Sequence, residues 1–191
     1  MIREKHGLPP LMDPFPSSGF SMVIALVGEA EIAIANLGEC KCYVCYSSNP
    51  SKAVLISGNH TEGNSEDEAR VKNAGGFFLN GRLNGVFPFT RSIGDYSFKK
   101  NDGLGPGQQL LSHIPSIFSL RKQDIKAVVL GSSGVWEEPG QVMKELTEDD
   151  CELNELKMKS ERLLSSMVSK EPRDGTRGMR NMSLLMIDLK H

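Results

Sequence analysis

From Phe20 the chain reads "SMVIALVGEAEIAIANLGECKCYVCYSS" and then "KAVLIS", short apolar or alternating runs broken at Gly28-Glu29 and Gly38-Glu39. Period-two runs punctuated by glycine predict antiparallel strands joined by tight turns, here a meander of three or four strands. "SEDEARVKNAGG" changes the period. Ser65 with Glu68 three residues on makes a capping box, acids fill the first turn, and Gly75 can take the left-handed C-terminal position, so a short helix is expected. Residues 76 to 98 return to strands and turns, "NDGLGPGQQ" (101 to 109) is a glycine-rich surface loop, and "KAVVLGS" (126 to 132) is a buried strand. "GQVMKEL" predicts a short helix. A longer one is expected over 151 to 171, where Leu153, Leu156, Leu163, Leu164 and Met167 form one stripe opposite charged residues. "EPRDGTRGMRN" is a loop, and "MSLLMIDL" closes the chain as a strand. Residues 1 to 17 carry Pro9, Pro10, Pro14 and Pro16, which remove backbone donors, so this stretch is expected to be an irregular lead-in.

Composition adds bounds. A length of 191 residues with 39% hydrophobic and 24% charged side chains suits one domain with a real core. A formal charge of −2 provides no basic footprint, which argues against nucleic acid as a partner. No apolar run is long enough to span a bilayer and the N-terminus lacks the apolar stretch of a signal peptide, so a soluble protein of the cytoplasm or nucleus is expected. Cys40, Cys42, Cys45 and Cys151 lack the paired spacing of a zinc site and read as free thiols in a reducing compartment.

The stretch "AVVLGSSGVWEEP" (127 to 139) runs from an apolar strand into Ser132, Ser133 and Gly134 and on to the only tryptophan, Trp136, which is expected to pack in the core. With four other segments it carries a resemblance. "IAIANLGECK", "EARVKNAGG", "GVFPFTRSIGDYSFK", "AVVLGSSGVWEE" and "RGMRNMSLLMIDL" resemble, in order, five motifs of the protein phosphatase 2C family of metal-dependent serine/threonine phosphatases. They read there as A-N-x-G-D-S-R, E-x-x-R-I-x-x-A-G-G, L-x-V-S-R-A-x-G-D-x-x-x-K, A-S-D-G-L-W-D and D-N-M-T-x-x-x-V. The resemblance covers roughly residues 18 to 190 and implies an α+β fold, a sandwich of two antiparallel sheets flanked by helices. A partial domain over 18 to 191 is expected, lacking the early N-terminal strands and helix.

The resemblance also implies a two-metal site of the manganese or magnesium type, whose cations need clustered carboxylates. Here the family's S-D-G aspartate is Ser133, followed by the expected Gly134, and the aspartate before N-M-T is Arg180. A guanidinium about 4 Å from a dication at an effective dielectric of about 20 costs roughly 8 kcal/mol. The family's E-D and D-G-H-G-G segments are not found in the chain. Glu39 stands at the G-D-S-R aspartate, associated in the family with an additional metal, and could pair with Arg180; Asp95 matches the G-D aspartate and is expected to serve local hydrogen bonding. Arg70 and Arg91 match family positions and read as structural ion-pair or turn-capping groups. Arg173, Arg177 and Arg180 crowd one glycine-containing loop, a candidate phosphate-binding cluster.

The expectation is a catalytically inactive pseudophosphatase without a metal cofactor, whose remaining role is binding a phosphoprotein or another protein. Two alternatives stay open: a weak or partner-assisted phosphatase, and a truncated product without function.

Overall fold

The computed structural model describes residues 18–137, 139–147, 153–168 and 181–189. In chain order these form strands β1 (Gly19–Phe20), β2 (Met22–Val27), β3 (Glu31–Leu37), β4 (Lys41–Tyr46) and β5 (Asn49–Leu55), then helix α1 (Ser65–Asn73). Three two-residue strands follow: β6 (Phe78–Leu79), β7 (Arg82–Leu83) and β8 (Ile93–Gly94). The chain then gives β9 (Ser116–Arg121), β10 (Ile125–Gly131), helices α2 (Pro139–Thr147) and α3 (Leu153–Met167), and β11 (Leu184–Asp188). They fall into two compact units, one holding β1 and residues 59–115, the other residues 22–58 and the described chain from 116 on. The lead-in 1 to 17, Cys151 and the loop holding Arg173, Arg177 and Arg180 lie outside the described residues.

The expected meander is instead two hairpins in two sheets. β2 pairs with β3, which pairs with β9; β4 pairs with β5 and with β10, which pairs with β11; every pairing is antiparallel. The chain changes sheet between Leu37 and Lys41, where Gly38 has φ 81° and the buried Asn36 side chain donates to the Cys40 carbonyl at 2.6 Å. Alternation dictates which face of a strand is apolar but not which sheet it joins. Inside the sandwich, Ile32 and Ile34 of β3 meet Cys42 and Val44 of β4 and Val128 and Leu130 of β10 in one apolar cluster. The other face of the four-stranded sheet carries Tyr43, Cys45 and Val129. These pack against Val142, Met143 and Leu146 of α2 and Leu156 and Leu163 of α3, with Leu164 and Met167 beside them, so the stripe read from the sequence is a core face from Leu156 on.

In the unit built on α1, the helix begins one residue earlier than the capping box predicted. Asn64 is the N-cap, its side chain accepting from the Asp67 N–H at 3.1 Å, while Glu68 Oε1 accepts from the Gly63 N–H at 2.8 Å. Gly75 takes φ 80° at the other end, as its position predicts. A two-residue turn of Asn80 and Gly81, both at positive φ, joins β6 to β7. Val71, Leu83 and Leu111 form the small core, with Phe78, Phe87, Phe89 and Phe98 against it. Among the described residues no helix is long and apolar enough to cross a membrane.

Candidate functional site

Register assembles one end of the four-stranded sheet. Gly131, the last residue of β10, lies opposite Lys41 of β4 on one side and Leu184 of β11 on the other. The residues just beyond these three therefore share one edge: Glu39 and Cys40 before β4, Ser132 and Ser133 after β10, and Asn181 to Ser183 before β11. Three of the five motif segments meet there.

Ser132 ties two of them together. Its N–H donates to the Ser183 carbonyl at 3.0 Å, its hydroxyl donates to the Asn181 carbonyl at 3.1 Å, and the Ser183 N–H donates back to that hydroxyl at 3.0 Å. Nothing in the sequence singles out Ser132 as a clamp. Its only signal was a small hydroxyl residue at a strand end, which does not specify a partner some fifty positions away. Ser133 and Gly134 open a 3-10 turn over Ser133–Glu137, with the Val135 N–H donating to the Ser132 carbonyl at 3.1 Å. Ser133 is half-buried, Gly134 buried, and Glu39 half-buried. The turn is anchored by Trp136, which is buried as expected. Its indole N–H donates to the Gly131 carbonyl at 2.9 Å, and its ring lies 4.7 Å from that of Tyr43.

The thiols along β4 and just before it are held protonated. Burial pushes Cys42 up to about 12, burial and then the Glu39 charge raise Cys40, and burial raises Cys45, whose Sγ donates to the Thr147 hydroxyl at 3.5 Å. A thiol that stays protonated is a poor nucleophile and a poor metal ligand. Among the described residues, no group of three His, Cys, Asp or Glu side chains is placed to hold a metal ion.

Arg70 and Arg91, expected as structural groups, converge on a carboxylate that the sequence marks only as a first-turn acid. Asp67 is fully buried and accepts from Arg91 Nε at 2.9 Å, from Arg70 at 3.2 Å and from the Thr90 hydroxyl at 2.5 Å. Arg70 also donates to the carbonyls of Gln109, Leu110 and Thr90, and Arg91 to that of Ile114. A cleft of about 360 Å³ beside α1 is lined by both arginines, whose guanidiniums are committed to these partners. The network orders the segment 90–114 rather than presenting free positive charge.

Asp95 belongs to the same unit. It sits at φ 49°, its N–H donates to the Ser18 carbonyl at 3.0 Å, and its carbonyl accepts from the Phe98 N–H at 3.0 Å. The local hydrogen bonding expected of it is thus made by its backbone. Its carboxylate is buried against Gly19, where a Cβ would fall 1.9 Å from Oδ2, and Oδ2 has no hydrogen-bond partner. Burial pushes this carboxyl up, against the opposing pull of Ser92 and the Lys99 ammonium. A folded pKa above the unfolded one favours the fold below the unfolded pKa, and that contribution is lost as pH rises through the folded value. Asp95→Asn, which keeps the shape and tolerates positive φ, is expected to raise the melting temperature at neutral pH and to lose the advantage in acid; thermal melts across pH 3 to 8 check it.

A sandwich of two antiparallel sheets with this strand-end turn is the fold of a known enzyme class, and sequence comparison agrees. The family profile "Protein phosphatase 2C" matches residues 12–149, and the chain belongs to that family. It is similar to protein phosphatase 1G of Homo sapiens and of Rattus norvegicus, 32% identical over 193 aligned residues that cover 93% of this chain and 34% of each relative. The chain thus spans about a third of the length of these curated relatives. Among solved structures, a phosphatase from Toxoplasma gondii aligns with a TM-score of 0.59 at 22% identity over 71% of this chain and 43% of its own. A serine/threonine phosphatase from Staphylococcus aureus aligns with a TM-score of 0.55 at 16% identity over 91% and 57%. These likenesses are of fold.

Proposed function

We propose that this chain is a protein phosphatase 2C relative that no longer carries out metal-dependent hydrolysis and keeps the fold as a binding module for phosphorylated protein. The observation that carries the reading is the donor set at the end of β10. Family members use manganese or magnesium there, hard cations that want about six oxygen ligands with several carboxylates. The turn offers Ser133, a neutral hydroxyl, beside Ser132, whose hydroxyl is already bonded to the chain at 181–183. Among the described residues, Glu39 is the one family-matched carboxylate at this sheet end. One formal negative charge against two dications is a poor fit, and Arg180, adjacent in sequence to the Asn181 that Ser132 binds, adds a positive charge.

The binding role rests on the guanidiniums of Arg173, Arg177 and Arg180, since arginine pairs with phosphate through paired N–H donors that need no cation. Turnover of p-nitrophenyl phosphate and of a phosphopeptide in excess manganese should not exceed that of Ser133→Ala. Metal-dependent turnover removed by Ser133→Ala would reject the reading. The binding half is tested by calorimetry: the phosphopeptide should bind and its unphosphorylated form should not, and Arg173→Ala with Arg177→Ala and Arg180→Ala should weaken binding roughly tenfold or more.

A further inference from the structure

The four-stranded sheet has helices on its outer face; the three-stranded sheet presents its outer face to solvent. Register puts Ile24 of β2 beside Ala35 and Ile117, and Leu26 beside Ala33 and Ser119, all on the side away from the inner core. Leu26 is 71% exposed, Ile117 72% and Ile24 49%. β2 is also an end strand of its sheet among the described residues. Its sequence, MVIALV, has no charge, proline or glycine, in a chain of which 24% is charged. Edge strands are ordinarily guarded by a lysine, a proline or a bulge, because their open N–H and C=O groups pair with any strand that arrives. β2 has none of these.

We propose that β2 is a self-association surface, on which a second copy of this chain adds its own β2 antiparallel across a two-fold axis. With Ala25 opposite the Ala25 of the second copy, Ile24 faces Leu26, Leu26 faces Ile24, Val23 faces Val27 and Met22 faces Gly28. On the outward side Ile24 meets Leu26 twice across the axis, the kind of apolar pair that stabilises a ladder. The nearest charge, Glu29, falls opposite Ser21, so no like charges meet. Ile24, Leu26, Ala33, Ala35 and Ile117 of each copy then form an apolar strip across six strands, bordered by Ser119, Glu31 and Arg121.

The occupant is a second copy because this strand is complementary to itself, and because a symmetric pairing consumes both open edges and closes. The opposite edge, β9, is a poorer partner: it carries Ser116 and Ser119, ends in Arg121, and a β2-to-β9 contact would leave edges free to polymerise. Two six-residue strands bury less than the ~1,600 Å² of a standard stable interface, so the dimer is reversible and concentration-dependent.

Sedimentation velocity of the full chain over a wide concentration range tests this independently of any phosphatase assay. The mass should climb from 21.0 kDa toward twice that value. Leu26→Lys places a charge on the pairing edge and is expected to weaken association roughly tenfold or more, with an unchanged melting curve at concentrations low enough for the wild type to be monomeric, because Leu26 is exposed there. Ile117→Lys, on the same face but away from β2, should leave the dimer intact. A monomer at every concentration would overturn the proposal, as would a dimer insensitive to Leu26→Lys or assemblies that grow past two copies. Monomeric protein whose β2 amides resist hydrogen exchange would assign the edge to another part of this same chain, and would also overturn it.

Discussion

Asp67→Asn is expected to destabilise the unit built on α1 by about 3–5 kcal/mol, the usual cost of removing one member of a buried charge network. The asparagine amide has nearly the shape of the carboxylate and can still accept from Thr90. Its NH₂ group, however, would face the N–H donors of Arg70 and Arg91, and two guanidiniums less than a tenth exposed would lose their counter-charge. Glu66 is the internal control. It contacts the same Arg91 at 3.3 Å but is 84% exposed, so Glu66→Gln should cost about 0–1 kcal/mol. Urea unfolding followed by amide exchange within residues 59–115 separates the two; equal effects would mean that the network is held by packing rather than charge.

The pH dependence follows from the same carboxyl. Burial alone would push it up, but hydrogen bonds from Arg91 and Thr90 and the charges of Arg91 and Arg70 outweigh burial and hold it below the usual carboxylate range. A folded pKa below the unfolded one contributes stability that is complete above the unfolded value, about 3.9 for aspartate, and is lost as pH falls through the folded value. The wild-type unit should therefore weaken on acidification below about pH 4, and Asp67→Asn should lack that part of the slope.

Asp67 also marks where sequence reading stops. Its neighbours in the chain identified a helix start, and the helix is there, but its partners Thr90 and Arg91 lie more than twenty residues downstream and leave no local trace. Arg70 and Arg91 were legible as structural groups because the family motifs contain them, whereas their shared counter-charge was not. The hairpins, the α3 stripe and the burial of Trp136 were legible because each depends on local periodicity or on one large apolar side chain. The division of β3 and β4 between two sheets was not, since both sheets bury the same period. Asn64 displaced Ser65 as the cap because the Glu68 N–H that Ser65 would have capped is already taken by the Asn64 carbonyl, and the Asn64 side chain accepts from the Asp67 N–H. At the candidate site, the motif order put Ser133 and Arg180 in one place by resemblance alone. The Ser132 clamp is the contact that joins the β10 turn to the chain at 181–183, and it is made by a residue whose type carries no distinguishing signal.

The turn that presents Ser133 depends on a glycine and a tryptophan acting as a pair. Gly131 leaves room for the indole of Trp136; a Cβ there would sit 2.9 Å from Cε2, Cζ2 and Nε1, ring atoms that cannot swing aside without breaking the bond to the Gly131 carbonyl. Trp136→Ala removes the largest side chain of the outer cluster, which includes Tyr43, Val142, Met143 and Leu163, and is expected to cost about 3–5 kcal/mol. Gly131→Ala overpacks the same contact and is expected to cost about 1–3 kcal/mol. The two should not add: once the ring is gone, an alanine at 131 meets a cavity, so the double variant should be close in stability to Trp136→Ala alone. Because Trp136 is the only tryptophan, its fluorescence in Gly131→Ala reports directly whether the Ser133 turn has shifted. Additive losses in a denaturant series, with an unaltered emission maximum in Gly131→Ala, would show that the indole does not hold the turn against the strand end.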